Sequence, residues 1–355
     1  MEPNKNKKIK KKNNKTFKDK IIQLSHGDGG FKTSELISNL ILKYLGNDTL
    51  NKLMDSAVIN GNNKKIAFTT DSFVVNPIFF PGGDIGKLSV CGTINDLATS
   101  GCTPSALSLS FILEEGLPVK DLIKILSSIK KVLKETGARV VTGDTKVVER
   151  GIADKIYINT SGIGFIPDKM DISPYKIKEG DDILINGGIA EHGAAILGKR
   201  KEFNFKSGIK SDCAPLSLLV NDITPVSSNI HALRDATRGG LASVLFELSE
   251  ASHTSFEIYE DKIPVKKEVR GICEFLGLDP LYMANEGKMI VFVDKKDSEI
   301  VLNAMKKNKY GKDSCIIGRV SGKINGERGR VFLITKLGTR RILDLQYSEQ
   351  LPRIC

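Results

Sequence analysis

Residues 64–101, KKIAFTTDSFVVNPIFFPGGDIGKLSVCGTINDLATSG, contain the clearest structural pattern of the chain. The stretch over 64–75 alternates between apolar and polar side chains, which is typical of a half-buried strand. A Pro-Gly-Gly sequence at 81–83 interrupts this pattern, and residues 86–101 then have helical spacing that ends at Gly101. The expected apolar face of this helix consists of Val90, Ile94 and Leu97. The segment therefore predicts a strand, a turn and a helix in succession.

The same alternation of strands and helices recurs along the rest of the chain. The patterns predict further strands over 105–113, 138–145, 155–166, 181–187, 256–260, 288–294, 315–320 and 329–334. They predict further helices over 33–45, 119–137, 191–199, 237–252, 265–277 and 297–307. This alternation indicates an α/β or α+β protein.

Length and composition indicate two domains. A chain of 355 residues is long enough for about two domains of ordinary size. The segment 167–181 has two prolines and mixed charges, so it reads as a linker. We predict four parts: a disordered basic tail over 1–20, an N-terminal domain over 21–168, a C-terminal domain over 169–342 and a flexible tail over 343–355.

The positive charge is concentrated at the N-terminus. The formal net charge is +11, but the first twenty residues hold nine lysines against Glu2 and Asp19, which leaves +4 for the rest. Such a run is typical of a solvated tail. The remainder has no Trp, no zinc-finger spacing and no mixture of aromatic and basic residues, so we expect no nucleic-acid partner.

The hydrophobic and cysteine patterns predict a cytoplasmic protein. No run approaches the roughly 18 apolar residues of a membrane helix, and the lysine-rich start lacks the apolar core of a signal peptide. The six cysteines show no metal-ligand spacing, and their number suits reduced thiols in a chain of this length. We expect all but the last to be buried apolar side chains. His192, in EHGAA, is expected to make a local hydrogen bond rather than bind a metal.

Carboxylates recur where predicted strands end or helices begin. They are Asp71, Asp84, Asp96, Asp144, Asp235 and Glu286. Each single Asp could be a turn former or a helix N-cap. Several such loops in one chain also suit Mg²⁺ bound with a nucleotide, since Mg²⁺ prefers oxygen ligands and commonly retains phosphate oxygens. The sequence leaves both interpretations open.

Two glycine-rich segments are candidates for phosphate binding. The chain has neither the P-loop pattern nor the dinucleotide-binding G-x-G-x-x-G pattern, but it contains SHGDGG at 25–30 and RDATRGG at 234–240. The second precedes a predicted helix, whose N-terminus favours anions, and Arg238 adds positive charge.

The last five residues, LPRIC, place a thiol at the very end of the chain. Chain ends are usually disordered, and an exposed free thiol is prone to oxidation. Cys355 is therefore either an incidental residue on a frayed end or a group that the protein uses.

Together these motifs resemble the HypE family of hydrogenase maturation proteins, from about residue 21 to residue 355. This family belongs to the superfamily of aminoimidazole ribonucleotide synthetase and selenophosphate synthetase. The segments that carry the resemblance are HGDGG, TTDSFVVNPIFFPGGDIGKLSVCGTINDLATSG, EEG, GDTKVV, INTSGIG, RDATRGGL, IPV, ANEGK and LPRIC. Two features depart from the family pattern: the lysine-rich tail and Asp28, where the family more often has Ser.

The resemblance implies a two-domain fold like that of aminoimidazole ribonucleotide synthetase and a defined reaction. Members are homodimers that bind ATP and Mg²⁺ between two α/β domains. They receive a carbamoyl group from the carbamoyltransferase HypF on their terminal cysteine and dehydrate it to a thiocyanate with ATP. The cyano group then passes to iron on a HypC–HypD complex, for the [NiFe]-hydrogenase centre. In this interpretation Cys355 is the carrier.

The resemblance also assigns site residues. Magnesium and nucleotide would be held by Asp71, Asp84, Asp96 and Asp235, and further nucleotide contacts would come from Asp144, Thr237, Arg238 and Gly239. Glu286 and Lys146 would perform acid–base and phosphate-facing work, and Lys146 could be either a base or a phosphate ligand.

Two alternative functions remain on the sequence alone. A sister enzyme of the superfamily would use the same ATP site on a free small molecule, as in selenophosphate synthesis. A non-catalytic maturation scaffold would need no magnesium ligands. The terminal PRIC argues against the first alternative, and the acidic loops argue against the second.

Overall fold

Two mixed sheets, one from each half of the chain, form the framework of the protein. The structure is a computed structural model that describes residues 17–27, 29–61, 64–200, 208–322, 328–346 and 353–355. The predicted disordered tail over 1–20 lies mostly outside the described residues, as does Asp28.

The first half of the chain forms a five-stranded sheet and a short hairpin. Its strands are β1 (Ala57–Asn60), β2 (Lys65–Phe73), β3 (Phe79–Phe80), β4 (Gly83–Asp84), β5 (Thr103–Glu114), β6 (Arg139–Val148) and β7 (Ile156–Ile166). The sheet order is β1-β2-β7-β5-β6, and β3 pairs with β4 separately. Within this sheet, only β5 and β6 run parallel, and the helix between them in sequence connects them. Strand β6 comes last in the order and is therefore an edge strand.

The second half forms a seven-stranded sheet. Its strands are β8 (Asp182–Ile185), β9 (Ile230–Asp235), β10 (Ser255–Tyr259), β11 (Met289–Val293), β12 (Cys315–Gly322), β13 (Val331–Ile334) and β14 (Arg340–Leu343). The order is β14-β13-β10-β12-β8-β11-β9. Every residue of β11 is buried, which suits its uninterrupted apolar sequence MIVFV. The edge strand β9 ends at Asp235 beside the start of β11.

Helices flank both sheets. They are α1 (Phe31–Leu36), α2 (Leu42–Leu45), α3 (Ile85–Thr99), α4 (Val119–Thr136), α5 (Glu191–Lys199), α6 (Ser217–Ile223), α7 (Gly240–Ser252), α8 (Lys267–Leu276) and α9 (Ser298–Lys307). A π-helical turn at Ile37–Ile41 joins α1 to α2, so the predicted helix over 33–45 is continuous but irregular. Among the described residues, none of these helices has the length and apolarity to cross a membrane.

Helix α3 is buried on all sides, and not on one face as the sequence pattern predicts. Of its 15 residues, only Lys87 and Asp96 are not buried. The helix packs against β2 and β7 of the first sheet and also against β9 of the second. Gly92 permits the close approach to β2, since a Cβ there would lie 2.9 Å from the ring of Phe73. Helix α3 therefore connects the two halves of the protein.

Asp84 is the N-cap of this helix. Its Oδ1 accepts hydrogen bonds from the backbone nitrogens of Gly86 at 2.8 Å and Lys87 at 3.0 Å, and from the Ser128 hydroxyl at 2.6 Å. Asp96 lies near the other end of the helix, roughly 17 Å away at 1.5 Å per residue. Within one chain the structure therefore does not bring Asp84 to the other carboxylates predicted to bind magnesium, and its Oδ1 caps the helix instead.

Replacing Asp84 by alanine should destabilise the fold without weakening cation binding. The loss of the cap should lower the free energy of unfolding by about 1–2 kcal/mol, measured by urea denaturation. Asp121→Ala is the matched control, because this residue lies in the first turn of α4 but makes only a surface ion pair with Lys124. Its effect should stay within about 0.5 kcal/mol. Normal stability combined with lost Mn²⁺ binding in Asp84→Ala would contradict this assignment.

Candidate active site

Four carboxylates meet where α3 approaches both sheets, and we call them the carboxylate cluster: Asp55, Asp71, Asp96 and Asp235. One oxygen from each of Asp55, Asp96 and Asp235 lies within 4.8 Å of the other two. Asp71 borders this trio and interacts with Asp96. Their positions are fixed by three elements, because Asp71 lies on β2, Asp96 on α3 and Asp235 at the end of β9.

Threonine hydroxyls orient two of these carboxylates. Thr69 donates to Asp96 Oδ2 at 2.8 Å, and Thr93 donates to Asp71 Oδ2 at 3.2 Å. Thr69 and Asp71 share β2, while Thr93 and Asp96 share α3, so the two bonds cross between strand and helix in opposite directions. The cluster is thus built into the packing of α3 on the first sheet.

Sequence reasoning missed Asp55. This residue precedes β1, a short strand that the sequence pattern also failed to predict. The available signal was the Asp-Ser pair in MDSAV, which resembles the pair in TTDSF. Asp55 is held from the other half of the chain, because Arg234 Nε lies 2.8 Å from its Oδ1. Arg234 also contacts Glu247 at 2.8 Å, which fixes the guanidinium between two carboxylates.

Burial and mutual repulsion raise the pKa values of the carboxylates in the cluster. Desolvation raises the pKa of Asp235 to about 6, and it raises the pKa values of Asp55 and Asp96 well above the ordinary range. For Asp96, the neighbouring charges of Asp71, Asp235 and Asp55 add to this increase in pKa. Among the described residues, Asp235 Oδ2 and Glu286 Oε1 are buried side-chain oxygens without a hydrogen-bond partner. Buried oxygens left unpaired in this way suit a site that a ligand completes.

The two glycine-rich segments lie against each other. A Cβ on Gly29 would lie 3.1 Å from Cβ of Arg238, and Arg238 donates to the carbonyl of Gly27 at 3.1 Å. Gly239 has φ +74° and precedes α7, so a side chain there would be strained. Thr237, Arg238 and Gly239 thus lie together at the N-terminus of a 13-residue helix. The positive charge of Arg238 acts on both Asp71 and Glu286.

Glu286 lies in a buried loop near the cluster. It is 2% exposed, and desolvation raises its pKa well above the ordinary range, with further contributions from Cys213, Asp212 and Asp235. The backbone nitrogen of Glu286 donates to both Asp212 carboxylate oxygens at 3.3 Å, and that of Gly287 donates to one at 3.1 Å. The loop is therefore fixed, while the Glu286 side chain keeps one oxygen unpaired.

The structure of one chain does not bring Asp144 and Lys146 to the cluster. Both lie on the edge strand β6, where they are largely exposed and pair with each other at 2.8 Å. Strand β6 is three strands from β2, or roughly 14 Å. Lys146 is in register with Ile112 on the solvent-facing side of the sheet, whereas Asp71 is in register with the buried Thr160. Lys146, which was predicted for acid–base or phosphate-facing work, thus lies away from the cluster within one chain.

The last three residues of the chain are docked beside β2. The nitrogen of Val74 donates to the main-chain oxygen of Cys355 at 3.1 Å, and that of Asn76 donates to the Arg353 carbonyl at 3.2 Å. Arg353 contacts Asp154 at 2.7 Å and also donates to the carbonyl of Val74 at 3.0 Å. Ile354 is 3% exposed, and Cys355 is partly buried against the same apolar core. The chain end is therefore held close to the strand that carries Asp71.

The donor set fits a hard divalent cation. Carboxylate oxygens are preferred ligands of Mg²⁺, which commonly retains phosphate oxygens as well. The trio of Asp55, Asp96 and Asp235 provides three such oxygens, and Asp235 Oδ2 has no hydrogen-bond partner. The adjacent glycine-rich backbone and Arg238 suit phosphate groups. Five cysteines were predicted to be buried: Cys91, Cys102, Cys213 and Cys273 are buried, whereas Cys315 is only partly so.

Asp55→Asn should weaken divalent cation binding by at least tenfold, because one anionic ligand oxygen is lost from the trio. Mn²⁺ titration followed by electron paramagnetic resonance on the nucleotide-free protein measures this directly. Asp48→Asn changes an exposed acid of the same segment and should leave the affinity unchanged. Equal affinities in the two variants would exclude Asp55 from the cation site.

Cation affinity should also rise with pH between about 5 and 7. Desolvation raises the pKa of Asp235 to about 6, so below this pH a cation must displace protons from the cluster. Above it Asp235 is ionised, while the raised pKa values of Asp55 and Asp96 act in the same direction, because a cation must displace any proton that they hold. The same Mn²⁺ titration at pH 5.5, 6.5 and 7.5 tests whether the affinity rises with pH. An affinity independent of pH would contradict the elevated pKa values.

Comparisons with known proteins agree with this architecture. Residues 53–166 match the N-terminal domain of AIR synthase related proteins, and residues 178–329 match their C-terminal domain. The carbamoyl dehydratase HypE of Rhodobacter capsulatus is 42% identical over 342 residues, which cover 96% of this chain and 99% of that protein.

Two solved structures extend the similarity to the fold. A HypE–HypF complex contains a chain that is 46% identical, with a TM-score of 0.82 and coverage of 88% of this chain and 99% of that one. A HypE in complex with ATP is 42% identical, with a TM-score of 0.79 and coverage of 94% and 99%. The predicted two-domain fold is confirmed. The chain belongs to the AIR synthase-related family and, within it, to the HypE carbamoyl dehydratases of hydrogenase maturation.

Proposed function

We propose that this chain uses ATP to convert a carbamoyl group on the Cys355 sulfur into a cyano group for the iron of a [NiFe]-hydrogenase. The observation that carries this proposal is the docked chain end. Val74, which binds the main-chain oxygen of Cys355, lies three residues after Asp71 on the same chain segment. A small-molecule synthetase has no need to hold its own terminal thiol against the strand that carries Asp71.

The reaction needs a better leaving group than an amide oxygen. Transfer of the γ-phosphoryl group of ATP to the carbamoyl oxygen gives ADP and makes that oxygen part of a phosphate ester. Removal of the two protons on nitrogen then allows phosphate to leave as the C≡N bond forms. The sum is ATP and S-carboxamide giving ADP, phosphate and S-cyanate. Such a reaction depends on neutralising phosphate charge and on a positioned base.

The described residues supply these functions. The carboxylate cluster would hold Mg²⁺, which supplies charge neutralisation at the phosphates when bound. Thr237, Arg238 and Gly239 would bind phosphate oxygens at the N-terminus of α7. Glu286 is suited to take a proton from nitrogen, since one of its oxygens is unpaired and burial raises its pKa, which makes its carboxylate a stronger base. The nucleotide would thus lie between the predicted domains over 21–168 and 169–342.

A second copy of the chain would complete the site with Lys146. The outer face of the first sheet exposes large apolar side chains, namely Phe68, Ile112, Ile163 and Phe165. Exposed apolar patches of this kind mark interaction surfaces. Asp144 and Lys146 lie at the edge of this face, so a homodimer formed through it would bury them. This arrangement supports Lys146 as a phosphate-facing residue contributed across the dimer.

The partners follow from the same chemistry. A HypE relative is known in a complex with HypF. We propose HypF as the carbamoyl donor of this chain and a HypC–HypD complex as the acceptor of the cyano group. The reaction would take place in the cytoplasm, where the free thiols of the described cysteines stay reduced.

Cys355→Ala should abolish the covalent change on the protein but leave ATP binding intact, since only the acceptor sulfur is lost. The test is mass spectrometry of the tail peptide after incubation with HypF, carbamoyl phosphate and ATP. The unaltered chain should gain a carbamoyl group and then lose one water when ATP is present.

Cys315→Ala is the matched control, because Cys315 is the other partly exposed cysteine of the described residues. It should behave like the unaltered chain. A carbamoyl adduct retained on Cys355→Ala would exclude the carrier role. A carbamoylated tail that never loses water with ATP would exclude the dehydration.

A further inference from the structure

A buried histidine binds the docked chain end from the side opposite to β2. His192 lies in the first turn of α5 and is completely buried. Its Nε2 lies 2.7 Å from the carbonyl oxygen of Ile354, and its Nδ1 lies 2.8 Å from the hydroxyl oxygen of Ser211. The edge of the ring also packs against Phe80 at 5.3 Å between centroids. His192 was expected to form a hydrogen bond with a residue nearby in the sequence, but its Nε2 instead contacts Ile354, near the C-terminus.

These contacts fix the tautomer of His192. A carbonyl oxygen can only accept, so Nε2 must carry the proton that is donated to Ile354. Burial lowers the pKa of His192, which favours the neutral ring. Nδ1 therefore accepts from the Ser211 hydroxyl, whose oxygen in turn accepts from the nitrogen of Cys213 at 3.0 Å. Every polar atom in this chain of contacts has a consistent role.

The same contacts lead to Glu286. The residue after Ser211 is Asp212, whose carboxylate accepts from the backbone nitrogen of Glu286. The nitrogen of Ala214 donates to the carbonyl of Glu286 at 3.2 Å. Helix α5 is tied to this loop as well, since Gly193 donates to the carbonyl of Ala284 at 3.1 Å. His192 thus lies between the docked chain end and the loop that carries Glu286.

We propose that His192 is a positioning residue, which holds the Ile354 carbonyl through Nε2–H and so sets the Cys355 sulfur relative to Glu286. Ser211 assists by holding the ring in the donating tautomer. The role given to His192 in the reaction rests on the proposed function. Its geometry concerns only the docking of the chain end, which can be measured without ATP or a carbamoyl donor.

The test is the release of Cys355 by a carboxypeptidase from the full chain, followed by intact mass. Cleavage requires the docked end to detach, so its rate reports the detached population when detachment is fast. His192→Leu should speed the release about tenfold, which is the factor that corresponds to about 1.4 kcal/mol of lost hydrogen bonding. His192→Gln keeps a side-chain N–H donor and should restore much of the protection.

Ser211→Ala and a distant histidine complete the set. Ser211→Ala should give a smaller increase, because the donor remains but its tautomer is no longer fixed. His253→Gln makes the same change at an exposed histidine that ends α7 and should leave the rate unchanged. Circular dichroism checks the folding of each variant. If His192→Leu does not fold, the release rate of Ser211→Ala tests the proposal in its place.

Release rates equal to those of the unaltered chain in His192→Leu, or in Ser211→Ala when only that variant folds, would overturn the proposal. A faster release that His192→Gln does not reduce would also overturn it, because that result indicates a general loss of packing. Failure of the proposed function looks different: the tail would stay protected by His192 but would never carry a carbamoyl group.

Discussion

The packing of α3 between the two sheets is the constraint on which the rest of the structure depends. This helix brings Asp96 to Asp235, which comes from the second sheet, and its Thr93 holds Asp71 of the first. Its glycine at position 92 sets the distance to β2, and its N-terminus is fixed by a cap. A helix exposed on one side could shift along a sheet. Because α3 is enclosed on all sides, Asp96 keeps a fixed position relative to both halves of the chain.

The electrostatics of the site follow from this packing. Four carboxylates in a poorly hydrated space repel one another, and each one becomes easier to protonate. Arg234 offsets part of this repulsion from the second half of the chain, and it does so by binding Asp55 of the first half. The cluster therefore both joins the two halves and resists full ionisation in the absence of a cation. A ligand that neutralises it also strengthens the association of the halves.

The sequence predicts most of this architecture, and the misses have physical causes. Periodicity locates the long elements, including α5 over Glu191–Lys199 at its observed bounds. It misses β1 and β9, which are both short; β9 also contains polar residues that only the tertiary structure buries. It also treats Asp84 and Asp96 alike, because an N-cap and a ligand use the same side chain. Asp144 and Lys146 show a further limit, since a motif does not reveal whether its residues lie near the rest of the site in the folded chain.

The docked chain end contains one strained residue. Arg353 has φ +52°, a left-handed backbone that costs residues other than glycine about 1–2 kcal/mol. Its ion pair with Asp154 and its bond to Val74 hold it in this geometry against its own preference. In the proposed function, the Cys355 sulfur must also leave this docked position to reach a partner protein. The backbone strain at Arg353 is released when the chain end detaches, so it lowers the free-energy cost of detachment.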